Sequence, residues 1–293
     1  MSKRIAVVGV GLMGGSLVRH LLAAGFPVTV HDVDPAKVEA SVKEGATKAA
    51  SPDRIASAAD VIMLSLPNSH IVNDVVRNDL RLFETGSKGL IVIDTSTPDP
   101  DMSAQLAAQL GQNGIEMLDA TISGTSEMFA EKDAIFLVGG KEQVFKACEP
   151  IFAVMSKYAF RMGDHGAGAK TKLVTNLVLT LNRMALAEGL TLAKKAGLDR
   201  LQTLEVLKKS AAYSRAMDQK GLRMVNKQFL PPASRLSSSY KDARLILALG
   251  ASLDCPLPLM SLTVQAMASE VSKGRSEWDP ATIISFYDEL ANL

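Results

Sequence analysis

The sequence predicts an α/β protein in which a doubly wound parallel sheet domain, residues 1–163, precedes an all-α domain, residues 164–293. Short β-branched runs alternate with helical segments in the first half, and this alternation favours a parallel sheet with right-handed crossovers. A glycine-rich turn follows the first of these runs. After about Gly163 only helical periodicity continues, which predicts a second domain without strands.

Five strands and six C-terminal helices are predicted along the chain. The strands cover residues 4–8, 28–31, 61–66, 90–94 and 115–119. The helices cover residues 169–196, 200–211, 214–226, 239–250, 257–272 and 280–291, and the first of them is expected to run between the domains. Residues 226–239 contain two prolines and three consecutive serines, so this segment is predicted to be a loop.

Composition and charge narrow the class of partner. Lys and Arg total 32 against 31 for Asp and Glu, and the net charge of +1 provides no long-range field for nucleic acid or an anionic membrane. A small-molecule partner is therefore expected. The two cysteines, Cys148 and Cys255, have neither disulfide-scaffold numbers nor zinc-ligand spacing, so no metal site and a reducing cytoplasm are predicted.

A glycine motif marks a dinucleotide site. Gly9-Val10-Gly11-Leu12-Met13-Gly14 follows a predicted strand and opens a predicted helix, which is the context in which G-x-G-x-x-G indicates a Rossmann-type domain. The first glycine permits the tight turn, the second lets a pyrophosphate approach the backbone, and the third allows close helix packing. A glycine-rich turn without a ligand is the alternative.

The second predicted strand is followed by a carboxylate. Asp32 lies about twenty residues after the glycine motif, where an acidic side chain accepts hydrogen bonds from the adenosine ribose and repels a 2′-phosphate. The next two positions are Val33 and Asp34, and neither is an arginine that could bind a 2′-phosphate, so NAD is expected as the cofactor. The alternative is that Asp32 only caps the next turn.

Further motifs resemble those of the β-hydroxyacid dehydrogenase family, which includes 3-hydroxyisobutyrate and tartronate semialdehyde dehydrogenases. The stretch from Asp119 to Thr125, D-A-T-I-S-G-T, resembles the family's D-A-P-V-S-G-G. Gly166-Ala-Gly168 with Lys172 and Asn176 resembles G-x-G-x-x-x-K-x-x-N-N, and residues 94–97 and 241–242 resemble D-x-S-T and K-D. The resemblance covers nearly the whole chain and implies an oxidoreductase that acts on a small carboxylate-bearing hydroxy acid or its semialdehyde.

The resemblance also implies roles for individual residues. Lys172 would be the general acid/base, Asn176 its orienting partner and Ser123 a substrate ligand. Backbone N–H groups at Gly124 and Thr125 are suited to bind the substrate carboxylate. Four further residues carry over as cofactor contacts: Leu66, Pro67, Thr97 and Lys241. Thr97 and Lys241 could equally be a helix cap or a surface charge.

The required chemistry agrees with a lysine in this role. Oxidising an alcohol removes the hydroxyl proton as hydride leaves carbon, so a base must lie within hydrogen-bond reach of that oxygen. No histidine is well placed, and Lys172 and Asn176 are four residues apart, which puts them on one helix face. Burial near a positive nicotinamide would lower the lysine pKa towards neutrality. The alternative is a solvated helix lysine.

Three positions depart from the family pattern. Thr121 replaces a proline, Thr125 replaces the second glycine of S-G-G, and Thr175 replaces the first asparagine of the pair. The usual A-x-x-G-x-L continuation is also absent from residues 129–135. These changes leave the choice among hydroxy acids open.

Two other functions are compatible with parts of the sequence. Gly11-Leu-Met-Gly-Gly-Ser-Leu17 also looks like the start of a prephenate dehydrogenase, but that chemistry needs a catalytic histidine in the second half, where only His165 occurs. A non-catalytic NAD-binding protein of the same fold is the other alternative, and the presence of Lys172 argues against it. A homodimer or homotetramer is expected, since the helical half has more apolar surface than one such domain needs.

Overall fold

The computed structural model describes residues 3–293. The chain divides into two compact units, and the division falls between Lys172 and Leu173. The predicted domain boundary, after residue 163, lies before the longest helix, whereas the compact units divide within it. The elements of the first unit, in chain order, are β1 (Ile5–Val8), α1 (Leu12–Ala23), β2 (Val28–His31), α2 (Pro35–Lys43), β3 (Thr47–Lys48), α3 (Ile55–Ala58), β4 (Val61–Leu64), α4 (Ser69–Asp74), α5 (Leu82–Thr85), β5 (Ile91–Asp94), α6 (Pro100–Gln112), β6 (Glu116–Ser123), α7 (Ser126–Ala130), β7 (Ile135–Gly139), α8 (Glu142–Met155) and β8 (Tyr158–Gly163).

One eight-stranded sheet organises the first unit, with the strand order β3-β2-β1-β4-β5-β6-β7-β8. Strands β1 to β6 pair in parallel, β6 and β7 pair antiparallel, and β7 and β8 are again parallel. The predicted doubly wound sheet is confirmed. The strand order reverses between β1 and β4, and in such sheets ligands bind beyond the carboxyl ends of the strands at this reversal.

Hydrophobic cores lie on both faces of this sheet. Alternate residues of β1 belong to different cores: Ile5 and Val7 pack with α1 and α8, while Ala6 and Val8 pack with α6. Every residue of β1, β4 and β5 is buried. This burial explains why these strands are continuous apolar runs and not alternating ones.

The second unit is helical and has its own core. Its elements are the greater part of α9 (Ala167–Lys195), then α10 (Arg200–Lys209), α11 (Arg215–Val225), α12 (Leu236–Ser252), α13 (Pro258–Ser272) and α14 (Ile283–Leu290). Within residues 3–293, no helix is long and apolar enough to span a membrane.

The predicted loop at residues 226–239 is wrong at its end, where α12 already begins at Leu236. Leu236 is fully buried, and its N–H donates to the carbonyl oxygen of Trp278 at 2.8 Å. The N–H of Ser237 likewise donates to Ser276 at 2.9 Å. Because these tertiary bonds satisfy N–H groups of the first turn, the serine run can be helical despite its weak propensity.

Candidate functional site

The glycine motif forms the turn between β1 and α1 at the strand-order reversal. Gly9 has a φ of +88°, and a β-carbon there would lie 2.4 Å from the carbonyl oxygen of Ser65. A β-carbon on Gly14 would lie 1.8 Å from the carbonyl oxygen of Gly9. Both positions therefore exclude any side chain. At Gly9 the turn touches the loop after β4, and at Gly14 helix α1 packs directly on that turn.

Gly11 differs from these two glycines because a β-carbon there would meet no atom of residues 3–293 within 4 Å. It is the N-cap residue of α1, whose first turn contains no acidic residue. The N–H groups of this first turn have no acceptor within the helix, and the helix dipole favours an anion at this end. The space beside Gly11 and the N–H groups of Leu12 and Met13 fit a dinucleotide pyrophosphate.

The side chain of Asp32 joins the end of β2 to the glycine turn. Its Oδ2 accepts a hydrogen bond from Val10 N–H at 2.8 Å, and its Oδ1 accepts one from Asp34 N–H at 2.9 Å. The side chain is 8% exposed, and the Lys37 ammonium lies 3.8 Å from Oδ1. Asp32 does close a local turn, as the alternative interpretation held. Each carboxylate oxygen has a second lone pair, so the side chain also keeps acceptor capacity for a ribose hydroxyl.

The loops after β4 and β5 are tied together at the same edge of the sheet. Leu66 N–H donates to the Ser96 hydroxyl oxygen at 3.0 Å, and Pro67 beside it is exposed. Asn68 caps α4 through Ile71 N–H, so its side chain has a structural task. Thr97 is half-buried and does not cap the next helix, since Asp99 accepts from the first N–H groups of α6.

The stretch resembling the substrate motif lies at the end of β6. Ser123 is the last residue of the strand and is half-buried. Gly124 has a φ of +152°, and a β-carbon there would lie 2.6 Å from that of Ala134, so this position requires glycine. Thr125 caps α7 by accepting from Met128 N–H at 3.2 Å. The threonine that departs from the family pattern therefore has a local structural role.

The departure at Thr121 also has a physical explanation. The residue is fully buried on β6, opposite Leu137 of β7. Its hydroxyl lies 3.2 Å from the carbonyl oxygen of Gly168, near the start of α9, and 3.5 Å from that of Leu137. A proline would provide no such hydrogen bond.

Lys172 lies in the second turn of α9, and its side chain is buried, with 8% of the residue exposed. Lys170, two positions earlier, is exposed. The interpretation of Lys172 as a solvated helix lysine is therefore wrong. A buried amine loses hydration, which disfavours its charged form unless a partner compensates.

Asn176 is held by a carboxylate within the second unit, to which both residues belong. Its amide nitrogen donates to Asp242 Oδ2 at 3.0 Å. Lys241 Nζ lies 3.1 Å from the other carboxylate oxygen of Asp242, in an ion pair whose angle does not make a hydrogen bond. Since a carboxylate only accepts, this contact fixes the amide orientation of Asn176 and leaves its oxygen available to a hydroxyl or an ammonium group.

Two buried carboxylates lie side by side on the sheet. Asp94 at the end of β5 is in register with Asp119 of β6, and each residue is 1% exposed. Burial raises the pKa of Asp94 to about 6, opposed by hydrogen bonds from Ser96 and assisted by the charge of Asp119. Burial also raises the pKa of Asp119, opposed by N–H bonds from Gly166 and Ala169. Among residues 3–293, Asp94 Oδ2 has no hydrogen-bond partner, so no donor stabilises a negative charge on this oxygen.

The buried Asp94 carboxyl leads us to predict that the stability of the fold depends on pH. The Asp94 carboxyl has a pKa of about 6 in the folded protein and an ordinary value of 3.8, so it binds its proton more tightly when the chain is folded. It therefore stabilises the fold at low pH, and this stabilisation is lost as pH rises through 6. Asp94→Asn keeps the oxygen that accepts from Ser96 N–H and removes the charge. We expect the variant to gain stability relative to the wild type between pH 4 and 7, by up to about 3 kcal/mol.

Urea unfolding at several pH values measures this difference directly. Asp164→Asn is the control, because the Asp164 side chain is 96% exposed. A difference between wild type and Asp94→Asn that stays constant with pH would contradict the prediction.

The sequence predicts most residues of these clusters, but it does not predict which groups Asp119 and Asp242 hold. Both residues were part of the motifs that carried the resemblance, so a signal was present. Their partners are distant in sequence: 47 and 50 positions for Asp119 and 66 for Asp242. The sequence alone does not reveal such contacts.

Two family models match consecutive parts of the chain. Residues 4–163 match the model described as the NAD binding domain of 6-phosphogluconate dehydrogenase. Residues 166–287 match the model described as NAD-binding of NADP-dependent 3-hydroxyisobutyrate dehydrogenase. The first match alone covers more than half of the chain.

Individual proteins resemble the chain over nearly its full length. A 2-(hydroxymethyl)glutarate dehydrogenase of Eubacterium barkeri is 29% identical over 292 residues, which are 100% of this chain and 97% of that protein. The cytokine-like nuclear factor N-PAC of Xenopus tropicalis is 28% identical over 97% of this chain, which spans 53% of that protein. The crystal structure of a 3-hydroxyisobutyrate dehydrogenase from Salmonella typhimurium is 26% identical with a TM-score of 0.88, covering 97% of this chain and 99% of that one.

Proposed function

The chain belongs to the β-hydroxyacid dehydrogenase family, and from that premise we propose that it transfers a hydride between NAD and a small β-hydroxy acid or the corresponding semialdehyde, with Lys172 as the general acid/base. The observation that carries the proposal is the burial of Lys172 at the start of α9, beside an exposed Lys170. A lysine kept from solvent at a motif position of this family is suited to proton transfer.

Residues of the first unit are assigned to cofactor binding and to proton transfer. Gly11, Leu12 and Met13 hold the pyrophosphate, and Asp32 accepts from the adenosine ribose. When bound, the nicotinamide cofactor supplies the group that accepts or donates the hydride. Lys172 takes the proton from the substrate hydroxyl in oxidation and returns it to the carbonyl oxygen in reduction.

Substrate orientation is assigned to Ser123 and Asn176. Ser123 ends β6 with a hydroxyl that donates to or accepts from the substrate, and the N–H groups of Gly124 and Thr125 receive its carboxylate. Asp242 occupies the amide nitrogen of Asn176, so the role assigned to Asn176 is for its oxygen to accept from the substrate hydroxyl. Leu66, Pro67, Thr97 and Lys241 stay predicted cofactor contacts, and the homo-oligomer and the cytoplasmic location stay predictions as well.

A second candidate function is a non-catalytic NAD-binding protein. The observation that favours it is the likeness to N-PAC, whose name describes a nuclear factor. The retained Lys172 favours the enzyme. Family membership likewise favours a hydroxy acid over prephenate as the substrate.

A panel of small hydroxy acids and semialdehydes, assayed by the nicotinamide absorbance at 340 nm, tests the proposal. Turnover of any β-hydroxy acid or semialdehyde supports it. Binding of NAD without turnover of any member of the panel would favour the non-catalytic alternative.

Cofactor choice gives a separate prediction. We expect kcat/KM to be at least about tenfold higher with NAD than with NADP, or about 1.4 kcal/mol, because Asp32 accepts from ribose hydroxyls and repels a phosphate. Lys37, a cation that would attract a phosphate, is instead paired with Asp32 and Asp34 at 3.8 and 3.6 Å. Steady-state kinetics with both cofactors measures the ratio.

The double variant Asp32→Ala/Val33→Arg should move the preference towards NADP. Val33 is 88% exposed, so an arginine there has room to reach a phosphate. Asp34→Ala is the matched control, since it removes a neighbouring charge that caps α2 and does not touch the glycine turn. Equal efficiencies with NAD and NADP in the wild type would refute the cofactor assignment.

A further inference from the structure

The start of α9 is held by two side chains of strand β6. Asp119 Oδ1 accepts from Gly166 N–H at 2.9 Å, and Asp119 Oδ2 accepts from Ala169 N–H at 2.9 Å. The Thr121 hydroxyl bonds to the carbonyl oxygen of Gly168 at 3.2 Å. Donor and acceptor groups of one helical turn are thus fixed to one strand.

The surroundings of Asp119 are shaped around its carboxylate. A β-carbon on Gly139 would lie 2.4 Å from Asp119 Oδ1, and one on Gly168 would lie 2.8 Å from Oδ2. Neither glycine has a positive φ, so close neighbours and not backbone conformation require them. At Gly168 the carbonyl oxygens of Leu137 and Asp119 would lie nearer still to a β-carbon, at 2.5 and 2.6 Å. The carboxylate therefore has little freedom to move away from the helix.

Keeping an ionised group at this place has a cost. Burial raises the pKa of Asp119, and a buried charge is weak evidence for stability alone, since apolar replacements of such groups are often neutral or stabilising. The carboxylate nevertheless contacts the first turn of the helix that carries Lys172. Ala169, its second partner, precedes Lys172 by three residues, which is slightly less than one helical turn.

We propose that Asp119 is a positioning residue for Lys172: by holding the first turn of α9 to β6, it fixes the place at which the amine meets the substrate. This inference rests on the proposed function, in which Lys172 is the acid/base. Asp119 does not touch the substrate and acts through the helix alone.

Asparagine cannot replace aspartate in this arrangement. A carboxylate accepts through both oxygens, whereas an amide accepts through one and would direct its NH2 group at the second N–H. Asp119→Asn should therefore displace the first turn of α9. A misplacement of about 1 Å costs on the order of a hundredfold in rate, so we expect kcat to fall by about 10- to 100-fold.

The KM for NAD should change by less than about twofold. Strand β6 is three positions from β1 in the sheet, or about 14 Å from the glycine turn at ordinary strand spacing. Asp164→Asn is the matched control: it removes one charge near the start of the same helix, from a side chain that is 96% exposed. It should leave kcat within about twofold.

A double-variant cycle separates positioning from a general structural role. Rates are measured for wild type, Asp119→Asn, Lys172→Ala and the double variant, with methylammonium added to supply a free amine where the lysine is absent. If Asp119 acts through Lys172, the asparagine substitution costs little once the tethered amine is gone. An equal loss in both backgrounds would overturn the inference.

Thr121→Val keeps the inference testable if Asp119→Asn does not fold, as judged by circular dichroism. It preserves shape, removes the hydroxyl bond to Gly168, and should lower kcat about 3- to 10-fold with the same dependence on Lys172. If kcat is unchanged in both the Asp119 and the Thr121 variants while Lys172→Ala is inactive, the positioning role is refuted and the proposed acid/base is not. An active Lys172→Ala refutes the proposed acid/base, and the positioning role with it.

Discussion

Lys172→Ala is expected to lower kcat by a factor of about 10² to 10⁴, or roughly 3 to 5 kcal/mol of transition-state stabilisation, while NAD binding stays nearly intact. The lysine would contact the reacting oxygen and not the pyrophosphate or ribose, which the β1–α1 turn and Asp32 would hold. Steady-state kinetics gives kcat, and a fluorescence titration gives the dissociation constant for NAD.

Lys170→Ala is the matched control for this variant. It removes the same charge two positions earlier on the same helix, from a side chain that is exposed where Lys172 is buried. It should cost little. Asn176→Ala should fall between the two, since it loses substrate orientation but keeps the base. A Lys172→Ala enzyme with more than about a tenth of wild-type kcat would mean that another group transfers the proton.

Gly11→Ala is expected to weaken NAD binding by about 10- to 100-fold, or roughly 1.4 to 2.8 kcal/mol, without unfolding the protein. A β-carbon at Gly11 meets no atom of the described part of the chain within 4 Å, so the fold has room for it. The φ of Gly11 is −68°, which alanine adopts readily. The methyl group would instead fill the space that a pyrophosphate needs.

Gly14→Ala supplies the contrast. Its β-carbon would lie 1.8 Å from the carbonyl oxygen of Gly9, so this variant should lose thermal stability even without NAD. Thermal unfolding and a calorimetric titration with NAD distinguish the two effects. Wild-type affinity in a folded Gly11→Ala protein would show that the turn does not hold the dinucleotide.

The strands that coincide with β-branched runs were predictable from the sequence, whereas three of the eight strands were missed. β1, β2, β4 and β5 follow β-branched runs, and their predicted ends differ by two residues or fewer from the observed ones. The prediction missed β3, which has only two residues, both exposed. It also missed β7 and β8, which lie beyond the parallel part of the sheet.

The last strand shows why periodicity failed there. β8 alternates exposed and half-buried residues, and its exposed side chains include Tyr158, Phe160 and Met162. Large apolar residues on the solvent side obscure the apolar-in, polar-out pattern by which a half-buried strand is recognised. Strand β6 was predicted to end at Asp119 but continues to Ser123, because antiparallel pairing with β7 extends it.

The sequence predicts candidate site residues where one residue type at one position indicates the chemistry. The glycine motif, Asp32 and Lys172 are of this kind. The contacts of Asp119 with α9 and of Asp242 with Asn176 were not predictable, because each joins elements that only the folded chain brings together. Local spacing indicates which groups can react, and it contains no information on what holds them.

The two hydrogen bonds that backbone N–H groups donate to Asp32 have a consequence for the affinity for the cofactor. The Val10 and Asp34 N–H groups hold the carboxylate in one rotamer, so a ribose would meet an acceptor that the protein itself orients. Immobilising a free side chain on binding typically costs about 0.5 to 1.5 kcal/mol. Preorganisation of this kind removes that entropic loss, which corresponds to about two- to tenfold in the dissociation constant for the adenosine half of the cofactor.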